Sequence, residues 1–236
     1  MLNIALCDFN HTTIGIHTET MPLAIGLIGS YIIKNYSNNV DVRLFKFEDD
    51  FFHEIDTWKP DLMGISLYAW NTSLGLHMAQ IAKNKFPNIT LVAGGPNIPI
   101  GNEETIEFFK NSPFIDLLIN KDGEIPFSTI VSKLLLGHSS KDIIDDRLPS
   151  TIAFHTKSQT VLRGEKGDKI KILDEVPSPY LTGLMDKFFK YKKQTLAPFI
   201  ETNRGCPYAC TFCHTADTYY NKPQWASTER LQQEME

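Results

Sequence analysis

Cysteine is scarce in this chain, with 4 among 236 residues. So few exclude a fold stapled by disulfides, the usual device of small secreted domains. Charge of one sign is not in large excess, at 23 Lys and Arg against 28 Asp and Glu. A net charge of −5 leaves no polybasic footprint, so nucleic acid is not an expected partner. No apolar run reaches the roughly 18 residues of a membrane helix. The nearest, Pro22–Ile33, is shorter and is interrupted by Gly26, Gly29 and Ser30, so no membrane association is expected. Met1-Leu2-Asn3 runs directly into a strand-like segment, without the basic and apolar regions of a secretory leader. The chain reads as cytoplasmic, where cysteines serve metals or catalysis before disulfides. Internal repeats and low-complexity tracts are absent as well.

What is present is concentrated. Three of the four cysteines, Cys206, Cys210 and Cys213, fall within eight residues and are spaced CxxxCxxC. Thiolates this close cannot all pair with one another, and a disulfide needs a specific Cα geometry. Three thiolates from one loop can instead hold three irons of a 4Fe–4S cluster, leaving the fourth iron open. A zinc knuckle completed by His214 is the other reading of the same residues. Zinc favours tetrahedral sulfur and nitrogen sets, but its ligands usually come as two separated couples. Cys7, in the apolar run Asn3–Cys7, reads as a small core residue.

Upstream, short apolar runs alternate with amphipathic stretches. Strand-like segments begin near residues 3, 40, 62, 89 and 114. Helical spacing follows each: Pro22–Tyr36, Asp49–Lys59, Thr72–Phe86, Asn102–Lys110, and a fifth marked by Phe127, Ile130, Val131 and Leu134 and closed by Gly137. Gly26 and Gly29 would let the first helix lie close to a sheet. This alternation predicts an α/β fold, a parallel five-stranded sheet covered on both faces. Five such units fit a doubly wound, flavodoxin-like sheet of order 2-1-3-4-5. Ligands then sit beyond the carboxyl ends of the strands, near the loops Asp8–Met21 and Tyr68–Ser73. Gly94-Gly95 and Gly123-Glu124 fall on the same rim. Ser66, Asn71, Gly94 and Gly95 would also occur in any such sheet with tight turns, and Glu124 suits a helix start.

After about residue 138 the pattern weakens. Thr151–Phe154 and Thr160–Arg163 suggest a small hairpin. Leu173–Tyr191, with Pro177, Pro179 and Gly183, reads as a linker draped over the surface. Pro198–Thr202 reads as a new strand entering the cysteine loop, and Ser227–Glu236 as a charged helix capped by Ser227 or Thr228. Trp58 and Trp225 read as packing residues. The expected organisation is a flavodoxin-like domain over 1–140, a hairpin and linker over 141–195, and the start of a further domain over 196–236.

The run ETNRGCPYACTFC, with an aromatic residue before the last cysteine, resembles the radical S-adenosylmethionine superfamily, and within it the members with an amino-terminal cobalamin-binding domain. Pro22–Gly26, Gly64-Ile65-Ser66, Trp70-Asn71, Gly94-Gly95-Pro96, Asp122-Gly123-Glu124 and Pro177–Tyr180 are similar to segments of that family, so the resemblance covers nearly the whole chain. One departure concerns the DxHxxG segment by which free-standing cobalamin domains bind cobalt. Here Asp8 to Gly15 reads DxxH with the wrong spacing, and His11 reads as a neutral loop residue. A second departure is that most strands of the family's catalytic barrel have no counterpart, so the sequence resembles the front part of a longer protein.

The resemblance implies a 4Fe–4S cluster on Cys206, Cys210 and Cys213, whose open iron binds S-adenosylmethionine, together with a cobalamin in the sheet domain. It implies reductive cleavage of S-adenosylmethionine to a 5′-deoxyadenosyl radical, used to methylate an unactivated carbon of a small-molecule substrate. An electron donor such as flavodoxin or ferredoxin is implied as partner. Ser66 and Asn71 would hydrogen-bond the cobalamin tail, Gly94 and Gly95 would let the backbone approach it, and Gly123 and Glu124 would contact the corrin edge. Phe212 would pack beside the cluster near the adenine, while Arg204 and Gly205 would shape the loop entrance. Ring rearrangement or cyclisation, and a cobalamin-binding module without catalysis of its own, are the alternatives. Methylthiotransferases are disfavoured, because they carry a second cysteine set and only Cys7 is available here.

Overall fold

The computed structural model describes residues 1–11, 19–191, 195–213 and 218–236. Five strands, β1 (Leu2–Cys7), β2 (Val40–Phe45), β3 (Leu62–Ser66), β4 (Thr90–Gly94) and β5 (Leu117–Ile119), pair in parallel in the order β2-β1-β3-β4-β5. This is the doubly wound order expected from the periodicity. Side chains alternate across the sheet. Ile4 and Leu6 of β1 enter one core with α1 (Leu23–Tyr36) and α5 (Glu124–Leu135). Ala5 and Cys7 enter the other, with α2 (Glu48–Ile55), α3 (Thr72–Lys85) and α4 (Asn102–Asn111). Both faces are covered, which is why the strands read as continuous apolar runs. Cys7 is fully buried, as expected of a core residue.

The sheet is longer than the five strands expected. The hairpin β6 (Thr151–His155) and β7 (Thr160–Arg163) docks antiparallel on β5 through Leu118–Ile152 and Ile119–Thr151, making seven strands. The short helix α6 (Ser140–Asp145) leads into it and opens with a capping box between Ser139 and Asp142.

The linker also does more than drape. It contains α7 (Asp186–Phe189), and Met185 and Phe188 are buried in the core shared with α1 and α5. A Cβ on Gly26 would meet Pro179 at 3.0 Å, and one on Gly29 would meet Leu184 at 3.0 Å and Leu6 at 3.4 Å. The two glycines therefore admit the linker to α1, and Gly29 admits the sheet as well.

Two expectations fail near the cysteines. Pro198–Thr202 is not a strand. Instead the Tyr180 hydroxyl accepts from Phe199 N–H at 3.1 Å and donates to its carbonyl at 2.9 Å, taking the place of a neighbouring strand. The two-residue strand β8 (Asn203–Arg204) pairs antiparallel with β9 (Gln224–Trp225). Trp225 is 68% exposed rather than packed, because this ribbon leaves its side chain facing outward. Trp58 is buried, donates to Asp41 at 2.7 Å and carries the Arg43 guanidinium over its ring. The final helix α8 (Thr228–Met235) is capped by Ser227, whose Oγ accepts from Arg230 N–H at 3.1 Å.

Candidate functional site

A cavity of about 860 Å³ lies at the carboxyl ends of β1, β3, β4 and β5, within the roughly 300–1,000 Å³ of small-molecule sites. One wall is the strand ends, including Asp8, Ser66 and Gly94. Another is the start of α1 and α5. The segment 199–205, which leads into Cys206, closes a third side. Cavity and cysteine loop are thus contiguous, although 80 residues separate Glu124 from Arg204.

The expected rim residues divide. Ser66, Gly94, Gly95, Gly123 and Glu124 line the cavity. At Gly94 an added Cβ would meet nothing closer than 3.6 Å, an ordinary contact, so the glycine leaves space for one ligand or side-chain atom in that wall. Gly95 has φ +101°, and a Cβ there would lie 2.6 Å from the Leu67 carbonyl. It serves the turn rather than the opening. Asn71 is fully buried and lies outside the cavity lining. Its Oδ1 accepts from Tyr68 N–H at 2.8 Å, and its Nδ2 donates to Asp8 Oδ1 and the Phe9 carbonyl at 3.0 Å and to the Ser66 carbonyl at 3.2 Å. The amide ties the loop after β1 to the loop after β3. Phe212 is 91% exposed and outside the cavity.

Sequence reasoning placed the loops beginning at Asp8 and Tyr68 beside the ligand but gave no role to Asp8, Tyr68, Trp70, Asp122, Glu201 or Tyr220 individually. Burial raises the Asp8 carboxyl to about 6, against the opposing pull of Lys46 and the Asn71 hydrogen bond. Burial likewise lowers Lys46, which Asp8 pulls back up. Each charge loses more by leaving water than it gains from the other. Tyr68 stacks on Trp70 with ring centroids 4.7 Å apart, and burial raises its phenol.

Arg204 donates to Glu124 at 2.8 and 3.2 Å and to Glu201 twice at 2.9 Å, with Asp122 at 3.4 Å. Although burial alone lowers its pKa, Glu124 foremost and then Glu201 outweigh that and raise it. Asp122 accepts from the phenols of Tyr219 and Tyr220, each at 3.2 Å. Burial pushes Asp122 up, as it does both phenols, to which Asp122 adds. Apart from Glu201, three residues before Arg204, these partners lie 80 to 98 residues apart, so no local motif announces their contact.

None of the three loop cysteines is joined in a disulfide; Cys206 is half-buried, and Cys210 and Cys213 are exposed. Cys206 N–H donates to the Tyr220 carbonyl at 2.9 Å, and Cys213 N–H to the Cys210 carbonyl at 3.0 Å. Among the described residues no three of His, Cys, Asp and Glu are gathered as a metal site. Three thiols outside any disulfide on one loop still suit an iron–sulfur cluster as a donor set, and the absence of a side chain at Gly94 leaves room for a ligand there. His214, the alternative zinc ligand, and residues 12–15 of the DxxH segment lie outside the described residues. His11, at its edge, is half-buried.

No family model matches the chain. It is 31% identical over 181 residues to the cobalamin-dependent radical SAM methyltransferase TokK of Streptomyces tokunonensis, covering 75% of this chain and 25% of that protein. It is 32% identical over 180 residues to the 2-(S-pantetheinyl)-carbapenam-3-carboxylate methyltransferase of Streptantibioticus cattleyicolor, with the same 75% and 25% coverage. The chain therefore spans about a quarter of the length of these curated relatives. The solved structure of OxsB, a cobalamin-dependent S-adenosylmethionine radical enzyme with aqua-cobalamin and S-adenosylmethionine bound, superposes with a TM-score of 0.71 at 19% identity. That match covers 100% of this chain and 31% of OxsB and supports the fold. By its cysteine loop, its sheet order and these relatives, the chain belongs to the radical S-adenosylmethionine family whose members carry a cobalamin-binding domain.

Proposed function

We propose that this chain is the cobalamin-binding and cluster-ligating part of a methyltransferase acting on an unactivated carbon of a small molecule. The observation that carries the reading is the shared cavity: the ends of the parallel strands and the segment entering Cys206 line the same space. Residues 1 to about 140 would hold the cobalamin, 141–195 connect, and 196–236 begin the cluster-bearing unit. Flavodoxin or ferredoxin in the cytoplasm would supply the electron.

A cluster held by Cys206, Cys210 and Cys213 would supply one electron for reductive cleavage of S-adenosylmethionine to methionine and a 5′-deoxyadenosyl radical, and cobalamin bound in the sheet domain would supply the means of methyl transfer. The chain's own residues bind and orient. Cys206, Cys210 and Cys213 would each give one thiolate to iron. Gly94 leaves the wall open, and the Ser66 hydroxyl offers a polar contact there. Asp8, its carboxyl raised to about 6, sits at the cavity edge, protonated below that pH and mostly ionised at neutral pH.

The test is anaerobic reconstitution of the full chain with iron and sulfide, followed by absorption and electron paramagnetic resonance spectra with and without hydroxocobalamin. Iron and sulfide should be taken up together, and a corrin band should co-elute with the protein. Iron uptake that survives combined Cys206→Ala, Cys210→Ala and Cys213→Ala rejects the cluster. A corrin band that never co-elutes rejects the cobalamin.

A further inference from the structure

Two arms of the cysteine loop end on one short turn. The first is Arg204, two positions before Cys206, whose guanidinium meets both Glu124 oxygens at 2.8 and 3.2 Å and lies 3.4 Å from Asp122. The second is Tyr220. Its carbonyl accepts Cys206 N–H at 2.9 Å, while its phenol donates to Asp122 at 3.2 Å. Tyr219 donates to the other oxygen of Asp122 at 3.2 Å. Gly205, between the arms, has φ +107°, and a Cβ there would fall 2.7 Å from the Tyr220 carbonyl oxygen. The loop backbone therefore lies directly against residue 220.

The turn itself is firmly seated. A Cβ on Gly123 would fall 2.6 Å from Ile28 on α1, and the Glu124 side chain is only 4% exposed. Two parallel charge-assisted bonds to a planar guanidinium fix direction as well as distance. Deleting Arg204 would strand the buried Glu124 carboxylate, whereas deleting Glu124 leaves the guanidinium on Glu201 and Asp122 but without its tie to the turn.

We propose that Asp122 and Glu124 are positioning residues that set the stance of Cys206 beside the cavity, acting through Tyr220 and Arg204. The purpose of this rests on the cluster reading above; the geometry does not. Neither carboxylate needs to touch a reacting atom. Each holds one end of the backbone that presents the first thiol.

The test is made on the metal-free full chain under reducing conditions, by mass spectrometry. It reads amide exchange in the peptide spanning 203–207 and the iodoacetamide alkylation rate of each thiol. Glu124→Gln and Asp122→Asn should each speed both processes at Cys206 by about tenfold, the effect of losing one hydrogen bond to a charged group. Cys210 and Cys213, already exposed, and the amides of β3 should keep their rates. Arg204→Gln, which also loses Glu201 and Asp122, should speed Cys206 at least as much as Glu124→Gln, and adding Glu124→Gln to it should add little further. Tyr220→Phe removes a single hydroxyl and keeps the second arm testable where a carboxylate variant does not fold. Unchanged Cys206 rates in folded variants, or full additivity of Glu124→Gln with Arg204→Gln, would overturn the proposal. A wild-type chain that binds no iron rejects the cluster reading instead, and leaves these rates as evidence on the clamp alone.

Discussion

A Cβ on Gly95 would stand 2.6 Å from the Leu67 carbonyl oxygen and 2.9 Å from the Leu67 nitrogen. Leu67 is itself engaged there, donating to the Gly94 carbonyl at 2.7 Å and accepting from Asn97 at 3.1 Å. With φ at +101°, Gly95→Ala should cost about 2–4 kcal/mol of stability through strain and clash. Gly94→Ala should cost under about 1 kcal/mol, because its Cβ finds ordinary contacts, yet it should weaken hydroxocobalamin binding several-fold. Urea unfolding and a binding titration separate the two. A Gly94→Ala chain that binds like the wild type removes that wall from the ligand site.

Asn71 holds Tyr68, Asp8, Phe9 and Ser66 with one amide. Asn71→Ala leaves these buried groups unsatisfied and should cost about 2–4 kcal/mol. Asn71→Asp should be worse at pH 8, since it sets a second carboxylate against Asp8 and two carbonyls. Thermal melts of the two variants at pH 8 give the order.

The Asp8 carboxyl, raised to about 6 by burial, makes a definite pH prediction. An ordinary Asp titrates near 3.9 in an unfolded chain. Between about pH 4 and 6 the folded state therefore binds more protons than the unfolded one, and stability falls as pH rises through this window. The fall attributable to Asp8 is up to about 3 kcal/mol. Asp8→Asn should remove it, so the stability of the variant relative to the wild type rises from pH 4.5 to 7.5. Urea midpoints at those two values check the sign.

The Tyr180 hydroxyl serves both backbone groups of Phe199. Tyr180→Phe should leave global stability within about 2 kcal/mol and loosen the segment before the cysteines. Chymotrypsin should then cut after Phe199 several-fold faster. Equal cleavage rates would mean that the neighbouring chain alone holds the segment.

The five parallel strands were legible because burial on both faces leaves an unmistakable mark: Leu62–Ser66 and Thr90–Ala93 are wholly buried. The hairpin over 151–163 was legible too, but its docking on β5 was not, because Leu118–Ile152 pairing is a choice between distant segments. The same limit governs the site. Ser66 and Gly94 stand where strand-end logic puts them. Asn71 has the right residue type on the right loop, yet its amide is spent inside the protein. Glu124 looks like a helix-start carboxylate until Arg204 arrives from 80 residues away. Local patterns encode elements and turns, whereas ion pairs between segments depend on how those elements come together.

The docked hairpin has one more consequence. Without it, the sheet would end at Leu117–Ile119, three fully buried apolar residues offering unpaired backbone to any passing chain. With it, one border becomes β7, four residues long and drawn by Arg163 toward the carbonyl of Ile100 and the side chains of Asn102 and Thr105. The opposite border, β2, carries Asp41 and Arg43. A short border on one side and charged side chains on the other make the sheet a poor template for fibrils or swapped strands.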